Sequence, residues 1–237
     1  MKNQYFGDVS DYRKYGLLRA LLQHNELTLG VCWMLTPDDG RSDGAFRRYL
    51  NQPRLFRHHD PTLYDALGSL CKGDLAYGVW HANALGLLPR TTYYEELVPD
   101  ECRARGKYGE QMLAAIASTD LVFFDPDNGI EVSSCPVGRK NSSKYVLWNE
   151  LSTTYSGCHS LLVYQHFPRR PRYEFIATMS SVMAKRFPGA EVHCFRTAHV
   201  GFFLVAHEHH AQRLRGSLAL IERQWQGQLM RSSREGS

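Results

Sequence analysis

Leu121-Val122-Phe123-Phe124 runs straight into Asp125-Pro126-Asp127-Asn128-Gly129, and this junction limits the possible folds most tightly. Four apolar residues, among them one Val and two Phe, fit a strand buried on both faces, as in a sheet covered by helices. The next five suit no strand interior, because proline lacks an N–H and the acids, amide and glycine favour turns. The chain must leave the core abruptly at Asp125, setting two carboxylates and an amide at the carboxyl end of a central strand. Ligands of open α/β sheets bind there. A plain strand closed by an Asp-Asn-Gly turn would use the same residues without a site.

The same reasoning marks residues 27–35 as a strand stopped by Thr36-Pro37-Asp38-Asp39-Gly40, and 160–164 as one closed by Gln165-His166-Phe167-Pro168. A helix is expected over 8–23, with Ser10 as its cap and Leu17, Leu18, Leu21 and Leu22 as its apolar stripe. Pro61–Leu70 follows Asp60, which places a capping acid before proline at the first helical position. Further helices are expected over 109–117, 172–187 and 211–226, with 144–151 a helix or a short extended piece. Residues 91–97 have strand composition. Residues 191–196 and 201–207 form a closing antiparallel pair, since too few residues separate them for a crossover helix. Strands alternating with helices predict an α/β class: one domain over 1–230, a mostly parallel sheet with an antiparallel C-terminal edge, and a disordered tail over 231–237.

The apolar share of 43% supports a real core in 237 residues. No apolar run approaches the roughly 18–20 residues that span a bilayer, and the first residues lack a signal-type hydrophobic stretch, so a cytoplasmic location without membrane contact is expected. The six cysteines are scattered with no Cys-x-x-Cys, which is not zinc-ligand spacing and leaves them as reduced thiols. Net charge is +4, and its distribution matters more than its size. Arg41, Arg47, Arg48, Arg54 and Arg57 crowd one segment; Arg169, Arg170 and Arg172 follow a strand; Arg213, Arg215 and Arg223 lie near the end. Such clusters suit nucleic-acid phosphates, although basic loops without that role have the same composition. Neither a P-loop nor a Gly-x-Ser-x-Gly elbow is present.

Four motifs in order resemble class I S-adenosylmethionine methyltransferases, and among them the J-type large-subunit ribosomal RNA adenine-N6 methyltransferases. They are Phe6-Gly7-Asp8-x-x-Asp11-Tyr12-x-Lys14, the strand through Val31, Glu96-Leu97-Val98-Pro99, and Asp125-Pro126-Asp127-Asn128. The resemblance implies a Rossmann-like, methyltransferase-type domain. It implies Lys14 and Asp43 near the amino-acid end of S-adenosylmethionine and Glu96 on its ribose. Asp125, Asp127 and Asn128 would then stand in the catalytic position, accepting hydrogen bonds from a nucleic-acid base. The chain departs from the pattern in three places. No glycine-rich turn follows the first strand, the span from Pro99 to Leu121 is too short for a helix and a third strand, and Asp127 and Asn128 replace a proline and an aromatic. That aromatic normally stacks the flipped base; Trp33, Tyr145 and Phe167 are the candidates to replace it.

The acids allow a second chemistry. Asp38, Asp39, Asp43, Asp125, Asp127 and Glu131 follow two central strands, and on one rim they would offer oxygen ligands to Mg²⁺. Lys144 and His166 would complete a metal-dependent nuclease or phosphoesterase. A third reading is a degenerate methyltransferase-fold partner subunit, for which loss of the glycine-rich turn is the expected mark. His207-Glu208-His209-His210 is expected to be a polar turn rather than a metal cluster.

Overall fold

The computed structural model describes residues 1–40, 46–70 and 78–232. In chain order its elements are α1 (Val9–Leu22), β1 (Leu29–Cys32), the short helix α2 (Pro53–Phe56), α3 (Pro61–Leu70), α4 (Trp80–Ala84), β2 (Thr91–Tyr94) and α5 (Cys102–Ile116). There follow β3 (Leu121–Phe124), β4 (Gly129–Ile130), β5 (Tyr145–Val146), α6 (Trp148–Ser156), β6 (Ser160–His166), α7 (Arg172–Arg186), β7 (Glu191–Arg196), β8 (Val200–Ala206), α8 (Glu208–Gln224) and β9 (Met230–Ser232). The described residues form a seven-stranded sheet in the order β2-β1-β3-β6-β8-β7-β9, while β4 and β5 pair separately. β2, β1, β3 and β6 run parallel; β8 is antiparallel to both β6 and β7, and β9 to β7. This is a Rossmann-like α/β architecture with an antiparallel edge.

Both faces of the central strands are buried, as their unbroken apolar runs require. Val31, Phe123, Leu162 and Leu204 pack with leucines of α1, α3 and α8 on one side. Cys32, Phe124, Val163 and Phe203 pack against α5, α6 and α7 on the other. Phe123 and Phe124 therefore serve opposite cores, each contributing roughly 2–3 kcal/mol of burial. On the first side Trp225, just past α8, lies across α1. A Cβ built on Gly16 would stand 1.9 Å from its ring, so only glycine admits this approach.

Local chemistry moves several boundaries from their expected places. Asp8, not Ser10, caps α1, its Oδ1 accepting the N–H groups of Ser10 and Asp11 at 2.8 and 2.9 Å. α5 begins at Cys102 rather than 109, because the Glu101 carboxylate accepts the N–H groups of Arg103 and Ala104 and starts the helix ahead of two glycines. Residues 144–151 divide into β5 and the start of α6. A buried pair fixes that division: Arg105 donates through Nε and Nη2 to both carboxylate oxygens of Glu150, at 2.6 and 2.7 Å. Arg231 and Ser232, expected in the tail, pair with β7; residues 233–237 lie outside the described part. His207 caps α8, so the histidine run is a helix start. No described helix is long and apolar enough to cross a membrane. The five described cysteines are unbridged.

Candidate functional site

Strand order reverses between β1 and β3: the chain moves from β1 to β2 on one side and from β3 to β6 on the other. Crevices at such reversals, outside the carboxyl ends of parallel strands, are the ligand sites of open α/β sheets. Register puts these ends level, Cys32 beside Tyr94 and Phe124, and Phe124 beside Val163. The N–H of Asp125 donates to the carbonyl of Cys32 at 3.0 Å, so the residues after both strands share one rim. A cleft of about 660 Å³ opens there, lined from α1, the segment after β3, Lys144, the end of β6 and the β7–β8 turn. Its size is that of a small-molecule site.

A buried ion triad forms the floor. Lys14, one turn into α1, donates to Asp11 Oδ1 at 3.0 Å and to Asp125 Oδ2 at 2.6 Å, and its ammonium sits 5.1 Å from the centre of the Tyr164 ring. Burial alone would lower the Lys14 pKa, but the two carboxylates overcome it and hold the ammonium charged. Burial raises Asp125 above the ordinary carboxylate range, with Lys14 opposing. Asp127 takes the Met1 α-ammonium at 2.7 Å and the Thr36 hydroxyl at 2.7 Å; these partners outweigh its burial and leave its pKa low. Asp8, at the head of α1, is pushed up by burial and by the charge of Asp11.

Opposite this floor stand β4 and the end of β6. Gly129, at φ 122°, has no room for a side chain, since a Cβ would meet the Gln165 amide at 2.4–2.5 Å. This close packing turns Asn128 toward the cleft: its carbonyl accepts the N–H of His166, its N–H donates to the carbonyl of Lys144, and its side-chain amide has no partner among the described residues. His166 is open to solvent at the mouth, with Nε2 3.2 Å from the Tyr164 hydroxyl. The packed wall behind its ring strips water from it, and nearby Lys14 adds positive charge; both lower its pKa and keep the imidazole neutral.

The structure thus brings Lys14, Asp125, Asp127, Asn128 and His166 to one cleft, with Asp39 and Lys144 on its margin. Glu96 is exposed and outside the lining. Asp43 lies outside the described residues. Asp38 is exposed and accepts the N–H of Gln4, and Glu131 turns away to accept the N–H of Trp148 at the head of α6. Asp39 pairs with Lys2. Of the acids expected to share one rim, Asp39, Asp125 and Asp127 do line the cleft while Asp38 and Glu131 do not, and each of these five holds a protein cation or N–H group. Among the described residues no three His, Cys, Asp or Glu side chains converge as metal ligands. Of the aromatics considered for stacking, Trp33 is fully buried between Tyr15 and Tyr93, and neither Tyr145 nor Phe167 lines the cleft. Phe46 does, with 63% of its surface exposed. Sequence reasoning passed over Phe46 and Tyr164, and gave Asp8 and Asp11 no role beyond their place in a motif. Of these, only Asp11 carried a further signal, a charge paired at i, i+3 with Lys14 within a leucine-rich helix.

Neither a protein-family model nor a curated protein sequence matches this chain.

Proposed function

We propose that the cleft binds S-adenosylmethionine and a nucleic-acid base, and that the protein methylates an exocyclic amino nitrogen of that base. The observation that carries this reading is the unpartnered Asn128 amide beside Asp125, facing a cleft at the strand-order reversal. The donor set suits a zwitterionic cofactor. The Lys14 ammonium can face a carboxylate, while Asp8 and Asp39 offer oxygens to an ammonium and to ribose hydroxyls. When bound, that cofactor supplies an electrophilic methyl group. Glu96, exposed and off the cleft, has no part in this version.

The remaining work is positioning, which is where such reactions gain most of their rate. Asn128 Oδ1 accepts one N–H of the target amino group and aims its lone pair into the cleft. The exposed Phe46 ring offers a face for the extruded base, as flipped bases require. Neutral His166 at the mouth accepts the proton that the amino nitrogen gives up. The cleft carboxylates Asp39, Asp125 and Asp127 are taken up by protein cations, and among the described residues no three carboxylates converge as metal ligands, which does not favour the Mg²⁺-dependent reading.

Transfer of labelled methyl from S-adenosylmethionine to RNA or DNA tests the proposal, with calorimetry of S-adenosylhomocysteine alongside. Wild type incorporates label, Asn128→Ala loses about 10²-fold of the rate through misplacement, and Phe46→Ala raises KM for the nucleic acid. Absence of both cofactor-analogue binding and label would overturn it.

A further inference from the structure

Charge divides unevenly across the cleft, and the division has a direction. The carboxylates Asp8, Asp11, Asp125 and Asp127 lie at the head of α1, within it and after β3, on the same side as Lys14 and the Met1 α-ammonium that hold three of them. The facing wall carries Lys144, His166 and His199. Backbone bonds lock that wall into a ladder: Asn128 N–H to the carbonyl of Lys144, His166 N–H to the carbonyl of Asn128, and Phe167 N–H to the carbonyl of His199. Lys144 has no carboxylate partner among the described residues. Three residues beyond His166 the chain sets out Arg169, Arg170 and Arg172, all exposed. Arg170 stacks on Phe175 at 4.6 Å, while Arg169 and Arg172 are without ion-pair partners among the described residues. Beside them Tyr173 is 74% exposed.

From this arrangement we infer that the wall from Lys144 through His166 and His199 to Arg169–Arg172 is the track for the backbone of a single-stranded nucleic acid. The inference rests on the proposed reading of the cleft and extends it from a base to a strand. Lys144, Arg169 and Arg172, cations without ion-pair partners among the described residues, suit phosphates along this wall, and an exposed ring beside them stacks a base irrespective of sequence. The floor's Lys14 is already taken up by carboxylates, so the backbone keeps to the wall that carries Lys144 while a single base turns inward toward Asn128. A strand is bound in preference to a duplex because its bases are free both to stack on Tyr173 and to enter the cleft.

Fluorescence anisotropy with a labelled single-stranded RNA or DNA 12-mer tests the track across a salt series. Arg169→Ala with Arg172→Ala should weaken binding by about tenfold and flatten the log–log salt slope by about 1.4, two contacts at about 0.7 each for a single strand. Lys144→Ala should remove about 0.7 more. Tyr173→Ala should weaken binding by about tenfold with the slope unchanged. Arg213→Ala with Arg223→Ala, both exposed on α8, is the control and should change neither. Equal weakening by the control pair, or tighter binding of a duplex of the same length, overturns the track. Rim-dependent strand binding without methyl transfer would fell the proposed activity and leave the track standing. Methyl transfer unaffected by the rim variants would do the reverse.

Discussion

Replacing Lys14 with Met removes the one cation that Asp11 and Asp125 share while keeping the length of the side chain. In the structure all three groups are nearly inaccessible, 4% for the Lys14 side chain and 2% for each carboxylate, with contacts of 3.0 and 2.6 Å. Removing one partner of a buried pair typically costs about 3–5 kcal/mol, because the remaining charge is left in a poorly hydrated site. A domain of this size holds about 5–15 kcal/mol in total. The expected drop in Tm is therefore on the order of 6–20 °C, at about 2–4 °C per kcal/mol.

The pH dependence separates this cause from lost packing. Burial already raises the Asp125 pKa, and the Lys14 ammonium opposes that rise more strongly than any other group. Without Lys14 the folded-state value rises further above the unfolded one, near 3.9. A group with a raised folded pKa contributes stability below its unfolded pKa and loses it as pH rises through the folded value. The deficit of Lys14→Met must then be smaller at pH 5 than at pH 8. In wild type the raised lysine keeps its contribution until alkaline pH, outside that window. Urea unfolding followed by circular dichroism at both pH values measures the difference, and adding Asp125→Asn should recover about half of the loss at pH 8. A deficit under about 1 kcal/mol, or one equal at the two pH values, would refute the claim that this triad is an electrostatic unit.

Asp8→Asn keeps a capping side chain, since Asn and Asp are comparable caps, but removes a carboxyl whose pKa burial and Asp11 raise to about 7. Wild-type stability from this group is present below about pH 4 and declines as pH climbs toward 7; Asp8→Asn should flatten that decline in a Tm series from pH 4 to 8, and unchanged slopes would count against it. Gly16→Ala should destabilise by about 1–3 kcal/mol through overpacking, despite the roughly 1 kcal/mol that alanine gains in a helix. The new methyl would stand 1.9 Å from the Trp225 ring, so a neutral or stabilising result in chemical denaturation would show that the ring moves aside freely.

What could be read ahead of the coordinates divides along a physical line. Leu121–Phe124 and Pro61–Leu70 were legible to the residue because their signals are local: an apolar run cut by proline and acids, and a capping acid before a helical proline. The antiparallel closing pair was legible because its connection is too short for a helix. The start of α5 was missed because its two glycines look like breakers unless the Glu101 cap is known to hold the first turn. At the site, Asp125, Asp127 and Asn128 were visible as residues that must leave a strand. Their partners were not, since Lys14 lies 111 positions from Asp125 and nothing local says which side of α1 faces the sheet ends. The same limit explains the acids after the two strands. Counted along the chain they look like an uncompensated cluster in need of a metal, but folding delivers a partner to each of the five that are described: the Gln4 N–H to Asp38, Lys2 to Asp39, Lys14 to Asp125, the Met1 amine to Asp127, the Trp148 N–H to Glu131. With much of that floor compensated from within, Asn128, Lys144 and the ring of Phe46 are cleft groups without an ion-pair partner among the described residues. On the proposed reading those three would take an amide-read base, a phosphate and a stacked ring, so that proposal draws on groups the fold leaves over rather than on the acids that first drew attention.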